Sequence, residues 1–68
     1  MVFTAVVYED NIPIRAFRDN ACIFNAYKWC HKHYNLYETE NLAAHQLPDW
    51  LRVDFLLLTE EQFANIVK

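Results

Sequence analysis

Val2-Phe3-Thr4-Ala5-Val6-Val7-Tyr8-Glu9-Asp10-Asn11-Ile12-Pro13-Ile14-Arg15-Ala16-Phe17 decides the fold. Two runs rich in β-branched and aromatic residues flank Asp10-Asn11, and both of those residues tolerate left-handed backbone, so the stretch reads as a tight β-hairpin. With Asp10 and Asn11 as the turn, Val7 faces Ile14 and Ala5 faces Ala16. Phe3, Ala5, Val7, Ile12, Ile14 and Ala16 then form one apolar face. Val6, Tyr8, Arg15 and Phe17 form the other. Pro13 cannot donate a ladder hydrogen bond, so the second strand is expected at an edge, which leaves the first free to be central.

Downstream, Asp19 or Asn20 can cap a helix over about residues 20–34. Its apolar positions Ile23, Ala26, Tyr27, Cys30 and Tyr34 keep a 3.6-residue period. Asn25, Lys28, His31 and Lys32 fall on the opposite side, and Asn35 is placed to end the helix in left-handed backbone, with Leu36 packing back on the last turn. Thr39 can cap a short helix through Leu42, Ala43 and Leu47 that Pro48 stops. Leu51 to Leu58 reads as a third strand, with Leu51, Val53, Phe55 and Leu57 on one face and Arg52, Asp54, Leu56 and Leu58 on the other. Thr59 and Gln62 have capping-box spacing, and Leu58 and Phe63 form a hydrophobic staple, so a terminal helix with Phe63, Ile66 and Val67 inward is expected.

The elements therefore run ββα(α)βα. A crossover from the second strand places the third beside the first, giving an α+β domain with a three-stranded antiparallel sheet of order 2-1-3 and the main helix on one face. A chain of 68 residues has room for this one domain, residues 1–68, with a small core. At 54% hydrophobic and 16% aromatic residues it lies far from the disordered class.

Composition also removes chemistry. Glycine and serine are absent, so neither a Gly-rich phosphate loop nor a serine nucleophile can form. A net charge of −3 gives no basic footprint for nucleic acid or anionic lipid. No apolar run approaches a membrane span, and the start lacks a basic leader, so a cytoplasmic location is expected. Cys22 and Cys30, about 12 Å apart along one helix, are beyond disulfide reach and read as buried thiols. Cys30, His31 and His33, with Cys22 and His45, are the residue types that could ligate zinc, but no CxxC or HxxxH pair anchors them. Cys30 and His33 lack an orienting acid for nucleophilic catalysis. The expectation is no enzyme, no cofactor and no metal.

What remains is surface. Tyr8, Arg15 and Phe17, joined by Leu56, make an aromatic and arginine group of the kind enriched in protein interfaces. These four are the expected partner-binding residues, with another protein, or a second copy in a homodimer, as partner. Two alternatives stay open: an RNA or single-stranded nucleic-acid module stacking bases on sheet aromatics, and a small metal-binding regulator. The terminal helix could instead fold over that face and make it ordinary core.

The hairpin from Val2, the covering helix to Tyr34 and the returning strand Leu51 to Leu58 are similar in layout to small phage-encoded proteins that bind and inhibit a host enzyme, including small inhibitors of bacterial RNA polymerase. The resemblance implies action in the host cytoplasm by steric or allosteric block of a host protein.

Overall fold

The computed structural model describes residues 2–66. Strands β1 (Val2–Glu9), β2 (Ile12–Phe17) and β3 (Leu51–Leu58) form one antiparallel sheet of order β2-β1-β3. Helix α1 (Cys22–Tyr34) packs on one sheet face and α3 (Glu60–Ile66) on the other. A single turn, α2 (Leu36–Thr39), follows α1. This is the expected ββα(α)βα domain.

The hairpin turn has φ of 51° at Asp10 and 68° at Asn11. Two consecutive left-handed residues match the right-handed twist of the flanking strands, which is why this dipeptide turns here. The first pairs, Glu9 with Ile12 and Tyr8 with Pro13, also agree with the sequence reading.

Beyond them the register departs from it. Val7 pairs with Arg15, not Ile14, and Ala5 with Phe17, not Ala16. Ile14 is the extra residue of a bulge directly after Pro13, where the missing N–H leaves the ladder weakest. A slip of one residue exchanges faces. Arg15 and Phe17 accordingly join Ala5 and Val7 on the α1 side, and Ala16 joins Val6 on the α3 side. Ile14 still packs against the α1-side core.

Helix α1 begins at Cys22, two residues later than expected. Neither Asp19 nor Asn20 occupies the cap position, which falls to Ala21 without a side-chain cap. Asp19 instead accepts hydrogen bonds from the Ala21 N–H and the Asn25 amide at 2.9 Å each. Asn35 ends the helix at φ 54°, as expected, and its N–H donates to the His31 carbonyl. Leu36 next to it is fully buried.

The buried stripe of α1 is Cys22, Ala26, Cys30 and His31, with Trp29 and Tyr34 half-buried. Ile23, expected inward, is exposed, and His31, expected outward, is 3% exposed. The stripe is rotated toward His31, which lies against the Tyr37 ring and hydrogen-bonds the Gln46 carbonyl of the segment 42–47. That segment is not the expected helix: Thr39 closes α2 rather than opening a new one, and residues 41–50 are turns and irregular backbone.

Helix α3 starts as read. Gln62 N–H donates to Thr59 Oγ1 at 3.1 Å, and Thr59 N–H donates to Gln62 Oε1 at 3.0 Å, a reciprocal cap. Phe63 and Ile66 pack on Val6, Ala16 and Leu58. Val67, also expected inward, lies outside the described residues.

The core has an unusual size distribution. Its buried apolar members are Ala5, Ala16, Ala26, Cys22, Cys30, Val6, Val7 and three leucines, whereas Phe3, Phe24, Phe55 and Leu57 stay outside. The sheet and α1 approach through small side chains, and the large ones are displaced to the rims.

Candidate functional site

The four residues expected to form one binding group do not share a face. Tyr8 and Leu56 pack with the α3-side cluster, and the Arg52 guanidinium lies 4.2 Å from the Tyr8 ring centroid. Phe17 packs with the α1-side cluster against Trp29, ring centroids 6.4 Å apart. Arg15 sits 5.7 Å from the Phe17 ring and 5.6 Å from the Trp29 ring. The bulge at Ile14 separates the pairs, and α3 covers the face that the sequence left open. Three of these four are held by intramolecular aromatic or cation–π contacts.

The structure opens elsewhere. Between the outward flank of α1 and the segment running back from Leu36 lies a groove of about 750 Å³. Its walls include Phe24 and Tyr27 from α1, and Tyr37 and Ala44 from the returning chain. Phe24 is 67% exposed and Tyr37 57%. Lys28 and Lys32, one helical turn apart, stand on the same side, with His45 opposite. No Asp or Glu lines it. The volume falls within the range of ligand-binding clefts.

His31 also lines the groove. Its Nε2 is 2.8 Å from the Gln46 carbonyl oxygen, so that nitrogen carries the proton and donates. Nδ1 is buried without a hydrogen-bond partner among the described residues. Tyr37 lies over the ring at 4.7 Å. Sequence periodicity placed His31 in solvent, and its surroundings come from Tyr37 of α2 and from the Gln46 carbonyl of a segment with no regular pattern.

A second hollow of about 140 Å³ at the hairpin end is polar, lined by Tyr8, Asp10, Asn11, Asp49, Trp50 and Arg52. There Arg52 donates to Asn11 Oδ1 at 2.6 Å and to Asp54 at 3.2 Å. An aromatic belt closes the same end of α1: His33 stacks on Trp29 at 4.5 Å, and Tyr34 meets Trp50 edge-on at 5.2 Å. The Tyr34 hydroxyl is pushed up to about 12 by burial first and then by its hydrogen bond to Glu9.

The residues weighed for zinc are dispersed. His33 is engaged with Trp29, His31 with Gln46, and Cys22 and Cys30 are buried. Among the described residues no group of three His, Cys, Asp or Glu side chains is placed to hold a metal ion. Burial pushes the Cys30 thiol up to about 11 from an ordinary value of 9.0. A folded value raised above the unfolded one favours the fold fully below about pH 9, and that contribution is lost as pH rises through about 11. Stability should therefore decline over that alkaline window, and Cys30→Ala should flatten the decline in urea titrations at stepped pH. The same burial predicts that neither thiol of the native protein reacts with Ellman's reagent at about pH 8 on the timescale of the unfolded chain. A fast native reaction would show an accessible thiolate.

No helix of the described residues is long and apolar enough to cross a membrane. Compared with protein-family models, with characterised proteins and with solved structures, the chain matches none.

Proposed function

We propose that this chain is a non-enzymatic protein-binding domain whose α1 groove takes an acidic segment anchored by an aromatic or aliphatic side chain. The observation that supports this reading is a reversal of charge. The protein carries a net −3, yet both lysines among the described residues, Lys28 and Lys32, stand on the groove, and neither forms an ion pair within them. Phe24, Tyr27 and Tyr37 supply an apolar surface for an anchor, in the manner of helix or peptide grooves. Cationic flanks steer an acidic partner and set orientation, while the aromatic contacts supply most of the affinity. Such a domain acts by occupying a partner's surface. That is the mode of the small phage-encoded inhibitors its layout resembles.

The test uses a fluorescent peptide of alternating glutamate and leucine with one central tryptophan. Binding should weaken at least about tenfold in the double variant Lys28→Glu, Lys32→Glu, and should fall with added salt. Phe24→Ala should cost roughly 2 kcal/mol of affinity if Phe24 is an anchor, with little change in melting temperature, because the side chain is largely exposed. Tighter binding of oligouridylate than of the acidic peptide, or no effect of charge reversal, would sink the proposal.

A further inference from the structure

The free edge of β3 is the second open surface, and its backbone is symmetric about one residue. The Asp10 N–H donates to the Trp50 carbonyl at 2.8 Å, and these residues continue the β1–β3 register. In an antiparallel ladder such pairs alternate, so Arg52, Asp54, Leu56 and Leu58 turn their backbone groups toward β1. Leu51, Val53, Phe55 and Leu57 turn theirs toward the free edge. Leu51 N–H is already used by the Pro48 carbonyl. The outward groups of Val53, Phe55 and Leu57 meet no hydrogen-bond partner among the described residues. Phe55 lies at the centre of that set.

The same three side chains face the α1 side of the sheet, where the helix does not reach the far end. Phe55 is 48% exposed, Leu57 50% and Phe3 53%, and the Phe3 and Phe55 rings stack at 4.8 Å with 7° between planes. Edge strands are normally guarded by proline, lysine or a bulge. The β2 edge has two of these, Pro13 and the bulge at Ile14. The β3 edge has no Lys or Pro, is eight residues long and keeps an unbroken register with β1.

The geometry points to a second copy of this chain as the occupant: β3 pairs antiparallel with β3 of another copy across a two-fold axis at Phe55. In that register Val53 of each copy lies opposite Leu57 of the other, and every free outward donor and acceptor of the three residues finds a partner. The two Phe3–Phe55 stacks come to lie side by side on one face. The result is a six-stranded sheet closed at both ends by the guarded β2 edges, so assembly stops at two. A core built on alanines, valines and cysteines gains from this, because small domains commonly draw stability from a partner subunit. This inference is independent of the groove, which lies on the outward flank of α1.

Sedimentation equilibrium of the full chain should give twice the 8.2 kDa chain mass. Phe55→Lys and Leu57→Lys should each weaken association at least about 100-fold by burying an unpaired ammonium at the join, while circular dichroism still shows the folded spectrum. Phe55→Cys is the geometric arm, informative even if a lysine variant unfolds. Directly opposed residues in such a pair have Cα atoms about 5.5 Å apart, within disulfide reach, so mild oxidation should give a covalent dimer. Val53→Cys should not, since four residues of strand, about 14 Å, separate the two copies of that position. A wild-type monomer at about 1 mM, an open-ended assembly, or cross-linking through Val53→Cys in place of Phe55→Cys would each overturn the proposal.

Discussion

Leu36→Ala is expected to remove about 2–5 kcal/mol of stability, most of what a chain of this size possesses. Leu36 is the largest of the fully buried side chains and belongs to the cluster containing Val7, Cys30 and Leu51. Its position is over-determined. Asn35 in left-handed backbone turns the chain, and the Leu36 carbonyl accepts from the Glu40 N–H at 3.1 Å and the Leu42 N–H at 3.3 Å. The backbone around a smaller side chain therefore cannot collapse inward without breaking α2, so a cavity remains. The loss should also loosen the returning segment whose Gln46 carbonyl bonds His31. Urea unfolding followed by tryptophan fluorescence measures the cost, and a loss below about 1 kcal/mol would mean that the site closes up freely.

Arg18→Ala should cost about 2–3 kcal/mol and undock α3. The guanidinium donates from Nε to Thr4 Oγ1 at 3.2 Å, from one terminal nitrogen to the Leu58 carbonyl at 2.9 Å, and from the other to Glu60 Oε1 at 2.7 Å. It also lies 4.4 Å from the Phe63 ring centroid. One side chain thereby ties β1, the end of β3 and the start of α3 together. Its removal leaves Thr4, fully buried, with an unfilled acceptor, and that desolvation carries most of the cost. Glu60 is a different matter. Its carboxylate is 83% exposed, so the ion pair itself is worth at most about 1 kcal/mol, and Glu60→Gln should change little. Arg18→Lys should not restore stability, because a single ammonium cannot reach three acceptors in different directions. Amide hydrogen exchange provides the local reading: protection of α3 should drop in Arg18→Ala while β1 protection falls only by the global amount. Equal losses for Arg18→Ala and Glu60→Gln would show that the exposed ion pair, not the buried bonds, holds the helix.

Much of the fold was legible because its signals are local. The Asp10-Asn11 turn, the Asn35 stop, the Leu51–Leu58 alternation and the Thr59–Gln62 box each depend on a few neighbouring residues whose conformational preferences act wherever the chain goes. Strand order followed from Pro13 and from the handedness of the crossover. Alternation also placed Phe55 and Leu57 on the α1 side of the sheet, although it could not show that α1 stops short of them.

The surfaces were decided by tertiary structure. A single bulged residue, Ile14, moved Arg15 and Phe17 to the other side of the sheet. Alternation along a strand cannot reveal an inserted residue, since both faces of β2 carry apolar side chains. The surroundings of His31 and the groove beside it depend on Tyr37 and on residues 44–46, which have no period to read, meeting the flank of α1. Arg18 gave no sequence signal because its acceptors lie 14, 40 and 42 residues away or sit on backbone. Local sequence therefore determined which elements form and in what order, because turns, caps and periodicity are short-range free energies. Which side chains are left outside was set only when the elements packed, because exposure depends on what the rest of the chain happens to cover.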